Sequence, residues 1–200
     1  NLVIKDTDGQ VDLGLVTSNT GVSALMFADT DDSNIGRIQY LHSTNDLTFT
    51  TNDSEAMRID SSGHVLVNTT DNSPENNSTG TSADNGIALA PYGYGAFSRY
   101  AANSGTGIPL FINRTNADGD LIQFRKNGST VGSIGVDTLR LTIGSGDVGL
   151  KLSGDLDNIQ PHNMSTNGLR DDAIKLGSPT NRFKDLYLSG GVYLGGTGAA

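Results

Sequence analysis

Leu121-Ile122-Gln123-Phe124-Arg125-Lys126-Asn127-Gly128-Ser129-Thr130-Val131-Gly132-Ser133-Ile134-Gly135-Val136 carries the clearest local instruction in the chain. Asn127-Gly128 lies between two segments that read as strands, Leu121 to Lys126 and Val131 to Val136. The favoured two-residue hairpin turn places both central residues at positive φ, which Asn and Gly tolerate. The stretch therefore predicts a β-hairpin. Further short apolar runs follow at Leu139 to Ile143 and Val148 to Leu152, and one precedes it at Leu110 to Asn113. Towards the N-terminus similar runs fall at Asn1 to Lys5, Ala24 to Ala28, Gly36 to Leu41, Leu47 to Thr51, Met57 to Asp60 and His64 to Asn68. Between them stand Asp, Asn, Ser and Gly clusters such as Ser43-Thr44-Asn45-Asp46 and Gly144-Ser145-Gly146-Asp147. Short strands with turns every eight to twelve residues predict an all-β fold of antiparallel strands and hairpins.

Composition points the same way. Of 22 acidic residues only Glu55 and Glu75 are Glu, so the acidic set is almost all Asp, which favours turns over helix interiors. Leu, Ile, Val and Phe together make 48 of 200 residues, enough to fold but thin for a single subunit. The net charge of −9, with 13 scattered cations, argues against a nucleic-acid footprint. No apolar run is long enough for a spanning helix, so no membrane insertion is expected. The lack of Cys removes disulfides, thiol catalysis and Cys-ligated metals. Starting at Asn1 without Met and ending in Gly195-Gly196-Thr197-Gly198-Ala199-Ala200, the chain reads as a piece of something longer.

The Asn-, Ser- and Thr-rich stretch 69–86 is the main polar break. It predicts an N-terminal β unit over 1–68, a linker or exposed loop over 69–86, and a C-terminal β unit over 87–200. One short helix is expected near 179–187, since Ser178 can cap and Pro179 suits the first helical position.

Sites of chemistry are sparse. Gly144-Ser145-Gly146-Asp147-Val148-Gly149 fits the spacing of a dinucleotide-binding turn, but Leu150-Lys151-Leu152 alternates like a strand where that site needs a helix, so it reads as a hairpin turn. Asp29-Thr30-Asp31-Asp32-Ser33-Asn34 lacks the Gly and Glu of a calcium loop and reads as a solvated turn. His42, His64 and His162 have no ligand partner at helical spacing, and no metal or cofactor is expected within one chain.

Pro91-Tyr92-Gly93-Tyr94-Gly95-Ala96-Phe97-Ser98-Arg99-Tyr100 gathers three of six Tyr within nine residues. Tyr92, Tyr94, Phe97, Arg99 and Tyr100 are the receptor-binding candidates, because rings stack on sugars and Arg engages acidic ones. The plainer reading is a hairpin whose aromatics pack across strands or between subunits.

Two stretches bear a resemblance. Ala56-Met57-Arg58-Ile59-Asp60-Ser61-Ser62-Gly63-His64-Val65-Leu66-Val67 resembles a signature of bacteriophage tail fibre proteins, with His64 where Asn is common. Leu176-Gly177-Ser178-Pro179-Thr180-Asn181-Arg182-Phe183-Lys184-Asp185-Leu186-Tyr187-Leu188 continues into Ser189-Gly190-Gly191-Val192-Tyr193-Leu194 and is similar to a segment such fibres carry near their distal end, often before a C-terminal chaperone domain. Leu110 to Gly135 also looks like fibre sequence. The resemblance implies an elongated, intertwined homotrimer on the virion, extracellular when mature, joined to other fibre or tail proteins. It implies attachment to a host surface glycan or outer-membrane receptor, and no catalysis. The alternatives are a polysaccharide-depolymerising tailspike and a non-viral extracellular β-repeat adhesin.

Overall fold

The computed structural model describes residues 5, 9–78, 80–103 and 107–192. It contains thirteen strands in two sheets, each an antiparallel meander in which every strand pairs with its neighbours in sequence. The chain divides into two compact units, 1–111 and 112–200, each described by itself. Among the described residues no helix is long and apolar enough to cross a membrane.

The first unit holds a seven-stranded sheet: β1 (Val22–Phe27), β2 (Gly36–Leu41), β3 (Asp46–Thr51), β4 (Ser54–Ile59), β5 (Val65–Val67), β6 (Gly86–Leu89) and β7 (Gly95–Ser98). The second holds six strands: β8 (Gly119–Lys126), β9 (Ser129–Asp137), β10 (Arg140–Ser145), β11 (Val148–Ser153), β12 (Asn158–Asn163) and β13 (Gly168–Leu169). Asn127 and Gly128 both take positive φ, at 49° and 81°, and close the β8–β9 hairpin as their residue types predict. The Gly144 to Gly149 stretch is likewise a hairpin, with Ser145 opposite Val148.

Three expectations are corrected. The polar stretch 69–86 does not divide the chain: Val65, Leu66 and Val67 pair directly with Leu89, Ala88 and Ile87 across it, so β5 and β6 share one sheet. A polar composition marks a loop but says nothing about whether the strands beside it rejoin. That loop carries the only described helical turns, 3-10 turns at Pro74–Asn76 and Ser82–Asp84. Residues 179–187 form bends, with no helix. Ser178 Oγ does accept from Asn181 N at 3.0 Å, as a cap would, but Ser178 N donates to Asn181 O at 2.9 Å and closes the turn on itself. Phe183, Leu186 and Tyr187 remain exposed, so no packed face offsets the cost of nucleating so short a helix. The expected strand at 110–113 does not form and belongs to neither sheet, and of the one at 1–5 all but Lys5 lies outside the described residues.

Burial is distributed unusually. In the first sheet, Leu25, Ile38, Phe49, Met57, Val67, Ile87 and Phe97 stand opposite one another in one unbroken row across all seven strands. The row behind them on the other face is Ala24, Gln39, Thr48, Arg58, Leu66, Ala88 and Ala96. The small and polar row is the closed one: Thr48, Leu66 and Ala88 are fully buried and Ala96 nearly so, with the Pro74–Asn76 turn packed against β6 and β7. The large apolar row is left half-open, with Leu25 and Phe97 exposed.

The second sheet repeats this inversion. Val136, Leu141, Leu152 and Ile159 form one apolar row and Ile122, Ile134, Ile143, Leu150 and Pro161 the next. On the opposite face run Ser133, Gly144, Gly149 and His162, beside Gly135, Thr142, Lys151 and Gln160. Ser133, Thr142, Lys151 and His162 are buried, whereas Leu141, Ile143, Leu150, Leu152 and Ile159 are exposed. The loop after β12 closes the polar face: Ser165 N donates to Gly146 O at 3.0 Å, and Asn167 Nδ2 to Val136 O at 3.4 Å. Glycine at 144 is required for this approach. A methyl group there would stand 2.2 Å from Val148 O and 2.9 Å from Met164 Cγ.

Candidate functional surfaces

The aromatic segment does not form one cluster. Tyr92 and Tyr94 lie in the loop joining β6 to β7, where Ala90 N donates to Tyr94 O at 2.9 Å and Gly93 takes a φ of +88°. Tyr92 is 81% exposed and its ring meets the edge of His64, centroids 6.3 Å apart. Phe97 is opposite Ile87 and belongs to the apolar row. Arg99 and Tyr100 follow the end of β7, at the opposite end of the hairpin from Tyr92 and Tyr94. There Tyr100 N donates to Asn85 Oδ1, and Arg99 lines a shallow cleft with Asn68, Asn85 and Ser98. The segment thus supplies a ring pair at one end of the hairpin, an Arg and a ring at the other, and a packing residue between.

The polar faces carry ionic networks that sequence spacing did not reveal. Asp46, 5% exposed, accepts from Arg58 Nη1 at 2.9 Å, Thr44 Oγ1 at 2.9 Å and Ser61 N at 3.2 Å. Arg58 also grips Glu55 with two nitrogens, a contact that raises its guanidinium further. Asp60 accepts from the backbone N–H groups of Ser62 and His64, and its carboxylate pairs with His64 Nδ1 at 3.0 Å. Burial pushes Asp60 upward, but those N–H groups and the His64 ring outweigh it and hold the carboxyl below its usual range.

In the second unit Lys151 pairs with Asp137 beneath His162, whose Nδ1 is 3.9 Å from Asp137 Oδ2 and whose Nε2 lies 3.2 Å from Asn167 Oδ1. The Lys151 ammonium lowers Asp137, against an upward push from burial, with Thr138 Oγ1 and His162 adding to the lowering. At the start of β10, Arg140 holds the exposed Asp155 down to about 2. The chemistry available to these groups is that of clamps. Asp60 and His64 form an acid–imidazole pair, and among the described residues no Ser or Thr hydroxyl hydrogen-bonds to the His64 ring.

The signal for the apolar rows was present in the sequence. Val148-Gly149-Leu150-Lys151-Leu152-Ser153 alternates with period two, which places its three large hydrophobes on one face. Comparisons with protein-family models, with curated proteins and with solved structures found no match to this chain.

Proposed function

We propose that this chain is a structural and adhesive segment of a viral tail fibre, assembled as a homotrimer on the virion and presenting its outer surface to a host-cell receptor. The observation that carries the reading is the inverted burial of both sheets. Each unit closes its small and polar face with its own loops and leaves its large hydrophobes in uninterrupted rows. Monomeric proteins rarely leave contiguous apolar faces of this kind uncovered, and obligate oligomers bury such faces between identical neighbours. The resemblance of 56–67 and 176–194 to fibre sequence supplies the viral setting. The paired meander strands and the ionic clamps on the closed faces suit a structural part.

Light scattering tests the assembly: the expected mass is three times 20.9 kDa, and a mass of one chain at micromolar concentration overturns the trimer. Reducing-sugar release from bacterial surface polysaccharide tests the role. An adhesin releases none, and measurable release favours a depolymerase.

A further inference from the structure

The second unit holds a cleft of about 380 Å³ lined by Asp120, Gln123, Thr130, Ser133, Gly146 and Ser165, with Met164 against its wall. From this cleft we infer a binding site for a neutral hydroxylated sugar, an inference that rests on the adhesive reading above and names its ligand class. The cleft belongs to the polar side of the sheet, since Gln123 stands opposite Ser133 and both lie on the face turned away from the Ile122–Ile134 row. Copies that pack through their apolar rows therefore leave it open.

Its polar groups are largely unspent. Gln123 Nε2 donates to Asp120 Oδ2 at 2.9 Å, which fixes the amide, and among the described residues Gln123 Oε1 and Asp120 Oδ1 accept no hydrogen bond. Among the described residues no protein group hydrogen-bonds to the side-chain hydroxyls of Thr130, Ser133 or Ser165. Two acceptors and three hydroxyls around one hollow match a ligand with several hydroxyl groups, each able to donate and accept. The Met164 thioether offers a soft apolar surface for a C–H face. Charge selects among sugars. One carboxylate and no cation line the cleft, so an acidic sugar meets an uncompensated negative group while a neutral hexose meets only partners.

The test uses the full chain in its assembled form, with saturation-transfer NMR against the methyl glycosides of glucose, galactose and mannose, and N-acetylneuraminic acid as the acidic probe. The expected result is a signal from at least one neutral hexoside and none from the acidic probe. Gln123→Ala with Thr130→Ala, both exposed positions, should weaken the neutral signal about tenfold at unchanged assembled mass. Ser165→Tyr, which fills the hollow from the loop side, should abolish it. Binding that survives both variants, or binding of the acidic probe alone, overturns the inference. Absence of all sugar binding by a chain that still assembles overturns the cleft while leaving the structural reading in place. A chain that fails to assemble refutes the structural reading instead.

Discussion

Leu152→Asp is the sharpest perturbation of the proposed assembly, because Leu152 lies at the centre of an apolar row with Leu141 on one side and Ile159 on the other. Leu141, Ile143, Leu150, Leu152 and Ile159 are each about half exposed in the single chain. Complete burial of such a side chain contributes roughly 2 kcal/mol, so covering the five recovers about 5 kcal/mol per copy and about 15 kcal/mol for three. A trimer forms in two association steps at roughly 4–15 kcal/mol each, so that total is of the same order as the cost, and the first unit's row adds to it. Leu152 is 40% exposed in the single chain, and Leu152→Asp places a carboxylate among its apolar neighbours in every copy at several kcal/mol each. The expected result is a fall to the mass of one chain in light scattering at micromolar concentration, with the β-type circular dichroism spectrum retained. Leu139→Asp is the control, because Leu139 is 98% exposed in a turn, and it should leave the mass unchanged. An assembly that tolerates Leu152→Asp refutes the assignment of this face to the interface.

Three further outcomes follow from local geometry. Thr138 and Leu139 both occupy the left-handed region, φ 50° and 64°, in the two-residue turn between β9 and β10, so replacing them with Asn-Gly should raise stability by about 1–2 kcal/mol in urea denaturation. Gly144→Ala should cost about 3 kcal/mol or more by the same measurement, since the added methyl meets backbone at 2.2 Å. Asp60 has a folded value below the usual 3.8, so its contribution is complete above that value and is lost as pH falls through the folded one. Asp60→Asn should accordingly flatten the acid limb of a stability-versus-pH curve below about pH 4, and an unchanged limb would assign that loss to other carboxylates.

Strand positions were legible wherever turn chemistry bounded them. Gly36–Leu41 matches the expected run to the residue, and Asn127-Gly128 closes the hairpin it predicts. What escaped was set by tertiary contact. Asn158–Asn163 contains Pro161 and little that favours strands, yet residues 158–162 pair with β11 on one side while His162 and Asn163 pair with β13 on the other. Residues 179–187 have the cap of a helix without a surface to pack on. The larger surprise is which face is closed. Alternation in β11 shows that Val148, Leu150 and Leu152 share a side, but only the loop carrying Met164 shows that Lys151 is on the covered one. Adjacency in sequence suggests a single patch for the aromatic candidates. A four-residue strand between them carries Arg99 and Tyr100 away from Tyr92 and Tyr94.

Charge placement bears on how chains carrying −9 each can associate at all. The apolar rows of both sheets contain no ionisable side chain. Strand charges such as Asp46, Arg58, Asp137 and Lys151 are instead paired on the closed faces, and Asp29, Asp31 and Asp147 occupy turns. Copies meeting through the apolar rows thus bring no fixed charges into contact, and the remaining repulsion is long-range and screened by salt, with a Debye length near 10 Å at about 0.1 M. An interface of this kind should hold or tighten as salt rises, because screening removes repulsion while apolar burial is not weakened. The assembled mass should therefore persist from about 0.05 to about 0.5 M sodium chloride. Dissociation at the higher concentration would mean that ion pairs between chains hold the assembly, and would move the interface from the apolar rows to the charged turns.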